Sequence, residues 1–132
     1  MNQSPGNAET VRRAYEAFNA ADLKTLSELF DENACWHTPG RSPIAGDTRG
    51  RDDTFAQFGR YVGDTNGTFK ATLKRVYESE DGHVIGMHHN TAERGDKRLD
   101  VGCCIAFQVE NGRITHGKEH LYDLYAWDEF WS

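Results

Sequence analysis

The chain has 132 residues, 27% of them charged and 37% hydrophobic, with a formal net charge of −6, the profile of one globular domain with a single core. The acidic balance argues against a nucleic-acid partner, because phosphate-backbone binding needs clustered Lys and Arg, and no apolar run approaches the roughly 20 residues that cross a bilayer. Residues 1–7 have neither the basic start nor the apolar stretch of a secretory signal; they read as a flexible tail before one domain over 8–132. Cys35, Cys103 and Cys104 are an odd number without a C-x-x-C pair, which fits free thiols and a cytoplasmic location better than a disulfide framework.

From Glu9 to Ala20, the positions Val11, Ala14, Tyr15 and Phe18 recur at helical spacing and predict an amphipathic helix. Asp22 predicts the cap of a second helix with Leu23, Leu26, Leu29 and Phe30 as its stripe, ended by residues 31–33. Residues 34–38 predict a short strand, and Gly, Pro and Arg mark the stretch to Gly50 as loop. A third helix starts at Asp52 or Asp53, carries Phe55, Phe58, Tyr61 and Val62, and ends at residues 63–67. Runs over 68–79, 84–93, 98–109 and 113–122, separated by Asp- and Gly-containing turns, predict four long antiparallel strands. Three helices followed by a strand meander describe an α+β plan, with helices on one face of a curved sheet.

The last run carries unusual chemistry for a strand that must close a core. His116, Lys118 and His120 share one parity, and Glu119 shares the other with Leu121 and Asp123, so either face takes polar groups inward. An unpaired buried carboxylate or imidazole costs several kcal/mol, on the order of a lost charge-assisted hydrogen bond or more, so this strand is expected to line a wet cavity. His88 is paired with Glu119 as a proton-transfer couple, in which a neighbouring carboxylate would raise the imidazole pKa. The register leaves open whether His88 or His89 faces in. Trp36, Phe18, Phe55, Phe58 and Tyr61 form either an aromatic pocket or simply the core, with Thr38 and Asn90 as hydrogen-bonding groups. Asp123 stands at the head of a short terminal segment over 126–130 that it is able to cap. His37 is read as the anchor of the loop after it. No metal is expected: His116 and His120, four apart on a strand, lie about 13 Å from each other, and adjacent His88 and His89 diverge.

The segment Val11–Leu23, Trp36-His37-Thr38-Pro39-Gly40, Ile44-Ala45-Gly46 with Arg49-Gly50-Arg51, and the ending from Asn111-Gly112-Arg113-Ile114 through Glu119 and Asp123 resemble the SnoaL-like branch of the NTF2-like superfamily, over nearly the whole chain. The resemblance implies a cone: three N-terminal helices packed on a curved, mainly antiparallel sheet that encloses a pocket. That superfamily includes ketosteroid isomerase, limonene-epoxide hydrolase and non-catalytic modules, so fold does not name the reaction. The isomerase's base position falls on Thr38, its oxyanion tyrosine on or beside Ala14 with Tyr15 one position off, and its acid on Ile105; that activity is not implied. For the hydrolase, Glu119 matches one carboxylate, while Glu93-Arg94-Gly95-Asp96 falls on a hairpin turn and His88 and Asn90 occupy the inner register.

These readings predict a pocket for an apolar or polyketide-like small molecule, with His88 and Glu119 as acid/base groups and no cofactor. Asp123 joins them as the base of an aldol-type cyclase if the SnoaL resemblance extends that far. A non-catalytic binding or dimerisation module is the alternative. The resemblance also implies a homodimer through the outer sheet face.

Overall fold

A computed structural model describes residues 6–132, so the expected tail lies largely outside the described residues. The elements are α1 (Asn7–Asn19), α2 (Leu23–Leu29), β1 (Phe30–Thr38), β2 (Gly46–Arg49), α3 (Arg51–Gly63), β3 (Lys70–Glu78), β4 (His83–Arg94), β5 (Lys97–Glu110), β6 (Arg113–Leu121) and α4 (Leu124–Trp131). The strands form one six-stranded sheet in the order β2-β1-β6-β5-β4-β3. Every neighbouring pair is antiparallel except β1 with β6, and the helices bury their apolar stripes on the inner face, as expected of an α+β cone.

Three elements differ from the sequence expectation. β1 begins at Phe30, straight out of α2, because the polar residues 31–33 and Ala34 continue an extended path that pairs with β6 across a bulge between Phe30 and Cys35. β2 was hidden in a Gly- and Arg-rich stretch; it is a short edge strand whose order comes from pairing with residues 35–38 of β1. The terminal segment is a fourth helix, α4, in which Trp127, Phe130 and Trp131 turn inward.

Helix placement follows from a few specific ties. Asn19 at the end of α1 exchanges two hydrogen bonds with the backbone of Ala71, donating from Nδ2 at 2.8 Å and accepting at Oδ1 at 3.0 Å, and so imitates a neighbouring strand at the edge of β3. Arg51 donates to the carbonyls of Ser27 and Phe30, which fixes the start of α3 against the end of α2. Asp128 on α4 accepts the Arg41 backbone N–H and sits over Gly40, where a Cβ would meet its carboxylate. The helix that closes one end of the cone is thereby tied to the β1–β2 loop. Trp127 and Trp131 pack on Tyr61 and Phe69 beneath it.

Cys103 points inward and Cys104 outward, and Cys35 is remote in the sheet; all three are free thiols. Among the described residues, no helix is long and apolar enough to cross a membrane.

Asp123 is the N-cap of α4, its carboxylate accepting Ala126 N–H at 3.0 Å. Asp123→Ala is expected to lower stability by about 1 kcal/mol, the usual loss for such a cap, and to leave the packing around Glu119 unchanged; urea denaturation with tryptophan fluorescence reads both.

Candidate active site

The inner parity of β6 is Gly117, Glu119 and Leu121, while His116, Lys118 and His120 face solvent. Glu119 is therefore the one ionisable group that this strand sends inside, and it is 3% exposed. It lines a small cavity of about 50 Å³ whose other walls are Tyr15 and Phe18 from α1, Trp36 from β1, Phe58 and Tyr61 from α3, and His88 and Asn90 from β4.

Two hydrogen-bonded groups occupy different parts of this cavity. In the first, Glu119 Oε2 accepts from Trp36 Nε1 at 2.6 Å and from the Tyr61 hydroxyl at 2.6 Å. With the Tyr61 proton directed at the carboxylate, the Thr38 hydroxyl donates to the Tyr61 oxygen at 2.6 Å and itself accepts from Gln57 Nε2 at 3.2 Å. Gln57 also donates to the Ile44 carbonyl at 2.7 Å, so the chain of donors runs one way and ends on Glu119. Indole N–H is donor only, which keeps Oε2 an acceptor and leaves Oε1 as the oxygen that carries the proton when the carboxyl is neutral. Gly117 makes room for this arrangement: a Cβ there would lie 2.1 Å from Trp36 Cζ3.

In the second group, His88 Nδ1 lies 2.7 Å from the Tyr15 hydroxyl and Nε2 lies 2.8 Å from Asn90 Oδ1. Asn90 Oδ1 only accepts, so Nε2 carries the ring hydrogen and Nδ1 accepts from Tyr15. Asn90 Nδ2 is buried and has no hydrogen-bond partner. Gly86 permits the approach of Tyr15, since a Cβ there would stand 2.9 Å from its hydroxyl.

The expected register is settled in favour of His88, which is buried, while His89 faces outward and contacts Asp100. The expected pairing with Glu119 is not formed. His88 lies opposite Cys103 and Glu119 opposite Ile105, which puts the two Cα atoms roughly 12 Å apart by strand spacing and a two-residue offset. The imidazole pKa moves against expectation: burial lowers it to about 4. Burial raises Glu119 to about 7 despite the bonds from Tyr61 and Trp36 that favour its anion. Both Tyr15 and Tyr61 are pushed well above the ordinary phenol value, chiefly by burial.

Asp123 is exposed and occupied as a helix cap, so it leaves the site. Phe55 also leaves it: the buried face of α3 is Thr54, Gln57, Phe58 and Tyr61, and Phe55 packs edge-on to Phe30 outside the lining. Thr38 has its hydroxyl engaged with Tyr61 and Gln57, which places it behind the cavity wall. His37 turns outward to Asp47, and Arg94 donates to the Phe130 carbonyl at 3.1 Å, away from the cavity. Tyr15 and Gln57 were overlooked as site residues. Tyr15 was visible in the α1 stripe, and a lone Gln between Thr54 and Tyr61 on a helical face was the available signal. Among the described residues, no three His, Cys, Asp or Glu side chains converge as a metal site.

The SnoaL-like domain family matches residues 11–117. The chain belongs to the SnoaL-like family. An uncharacterised protein of Mycobacterium tuberculosis is 35% identical over 124 residues, which is 94% of this chain and 95% of that protein. The structure of Bal32a, from a soil-derived mobile gene cassette, superposes with a TM-score of 0.94 at 71% identity, covering 96% of each chain. An NTF2-like protein of Burkholderia pseudomallei has a TM-score of 0.80 at 20% identity over 98% of this SnoaL-like chain and 99% of its own, a likeness of fold.

The two displaced groups give opposite pH dependences. Glu119 holds its proton more tightly in the folded state, so its contribution to stability is complete below about pH 4.5 and is lost as pH rises through about 7. His88 is held neutral, so its contribution is complete above about pH 6.5 and is lost as pH falls through about 4. Each is worth about 3 kcal/mol across its window, and the slopes cancel where they overlap, between about pH 4.5 and 6.5. Urea unfolding across that interval is expected to show stability rising with pH in Glu119→Gln, where only the His88 slope survives, and falling with pH in His88→Gln. The same sign of slope in both variants would contradict the assignment.

Proposed function

We propose that this SnoaL-like protein binds an apolar or polyketide-like small molecule in the cavity and transfers protons to or from it through Glu119, as in isomerisation, dehydration, cyclisation or epoxide opening. The observation that carries this reading is the Glu119 carboxyl: buried and anchored at Oε2 by two donors, which leaves Oε1 as the oxygen that takes or gives a proton. A carboxyl that titrates near 7 exchanges its proton with little driving-force loss at neutral pH. His88, neutral and bonded at both nitrogens, serves this reading as a positioning group for Tyr15 and Asn90 instead of a proton carrier. The cavity's volume of about 50 Å³ is well below the roughly 300 Å³ that a drug-sized ligand needs, so a polycyclic molecule enters only when the aromatic walls separate.

A screen of epoxides and cyclic ketones against the purified protein tests the reaction. Turnover by the wild type with a loss of about 100-fold or more in kcat for Glu119→Gln, a typical general acid/base contribution, is the expected result. Retention of full turnover by Glu119→Gln would remove Glu119 from the mechanism. Binding without turnover would favour the non-catalytic module.

We further propose a homodimer through the outer sheet face. Tyr77, Ile85, Met87, Cys104 and Ala106 form cross-strand neighbours there, and Tyr77, Met87 and Tyr122 are large exposed hydrophobic side chains. A patch of this kind on an open sheet is suited to a two-fold, self-complementary contact. Light scattering at micromolar concentration is expected to give twice the 14.9 kDa chain mass; a monomer would contradict it.

A further inference from the structure

Asn90 is the most deeply buried polar residue of the cavity at 1% exposure, and its amide is half used: Oδ1 accepts from His88 Nε2, and Nδ2 has no partner. Native interiors rarely leave a donor in this state, and Asn90 is one of the residues that line the cavity. The other donors around the cavity are already committed. The Trp36 indole and the Tyr61 hydroxyl point at Glu119, and the Tyr15 hydroxyl points at His88 Nδ1. No Lys or Arg lines the cavity among the described residues. The polar atoms left to a ligand are therefore one neutral N–H donor on β4 and the Glu119 carboxyl on β6, set in aromatic and aliphatic walls.

We propose that Asn90 Nδ2 receives the oxygen of the ligand, which defines the ligand as a neutral molecule whose apolar body carries a carbonyl or epoxide oxygen. The inference rests on the reading of this cavity as the ligand site. An anionic ligand finds no positive partner here to offset its desolvation, and a pure hydrocarbon leaves the Asn90 donor unpaired. His88 and Tyr15 are positioning residues: the Tyr15 hydrogen fixes the imidazole tautomer, and the Nε2 hydrogen fixes which way the Asn90 amide faces.

The test is an NMR titration of the full-length ¹⁵N-labelled protein, below the Glu119 midpoint, with cyclohexanone, methylcyclohexane and cyclohexanecarboxylate. Cyclohexanone is expected to bind about tenfold more tightly than methylcyclohexane, the scale of one buried hydrogen bond, and to move the Asn90 side-chain amide signals. Cyclohexanecarboxylate is expected to bind most weakly. Asn90→Leu is expected to erase the ketone preference, while Tyr15→Phe, which frees the imidazole tautomer, only weakens it. The wild-type imidazole spectrum supplies a check that needs no variant, because it must show His88 protonated at Nε2. Equal affinity for ketone and hydrocarbon, binding of none of the probes, a His88 proton on Nδ1, or loss of the preference in Tyr15→Phe but not in Asn90→Leu would each overturn the proposal. A ketone preference that persists where Glu119→Gln leaves turnover intact would refute the acid/base role of Glu119 and leave the Asn90 assignment standing.

Discussion

The inner wall of the cone is organised by one buried carboxyl and the donors that hold it. Glu119 sits on a central strand with no Lys or Arg on the cavity wall among the described residues, and its Oε2 is fixed by two groups from different elements, Trp36 on β1 and Tyr61 on α3. Each of these is supported in turn. Tyr61 is oriented by Thr38 and Gln57, and Gln57 reaches on to the Ile44 carbonyl; Trp36 lies against Gly117, where no larger residue fits. Removing any member strands a buried polar atom, which costs about 1–3 kcal/mol. The position of α3 over the sheet is consequently set by hydrogen bonding as well as by its apolar stripe.

The same burial explains why the two ionisable groups of the cavity behave differently from a surface Glu–His pair. An ion pair between them would require two charges in a low-dielectric interior, and its attraction would have to outweigh both desolvation penalties. The β-sheet register keeps them two residues and two strands apart, and each group instead takes its neutral form more readily, the carboxyl by holding its proton and the imidazole by refusing one. What results, at pH below the Glu119 midpoint of about 7, is a cavity that is polar at particular atoms without being charged. Such a surface favours neutral polar ligands over ions.

The sequence carried the architecture well because its signals were local: periodicity in α1, the Asp22 and Asp123 caps, and turn residues between the long strands. It carried β2 poorly, since a four-residue edge strand has no pattern of its own and is ordered by β1 across a loop. The parity of β4 was ambiguous for the same physical reason. Ile85 and Met87 make the outer row the more apolar one, and only the packing of helices on the other face reveals that His88 and Asn90 belong inside. The residues Trp36, Tyr61, His88, Asn90 and Glu119 were recognisable as inward polar or aromatic groups. Their pairing was not, because it depends on a diagonal offset between β4 and β6 and on where the α1 and α3 side chains reach. The aromatic stripe of α3 shows the limit on a finer scale: a helical stripe is legible only to within a residue or two, and that margin decides whether Phe55 or Gln57 belongs to the buried face.

The rings that wall the cavity are also the hydrophobic core. Phe58 lies edge-on to Trp36 with ring centres 4.8 Å apart, and Phe18 is edge-on to Phe58 at 5.7 Å; these contacts stabilise the fold and at the same time shrink the cavity. α4 adds a second layer, since Trp127 and Trp131 seal the neighbouring end of the cone with indole nitrogens that have no partner, an arrangement that trades hydrogen bonding for ring packing on Tyr61 and Phe69. A ligand larger than the present cavity must therefore draw on the same contacts that hold the protein together, and its binding energy is reduced by whatever packing it disrupts. The polar network shares part of that conflict, because Tyr61 on α3 and Tyr15 on α1 are wall rings and hydrogen-bonding groups at once. Only the rings without polar atoms, such as Phe18 and Phe58, separate without loosening the bonds that orient Glu119 and His88.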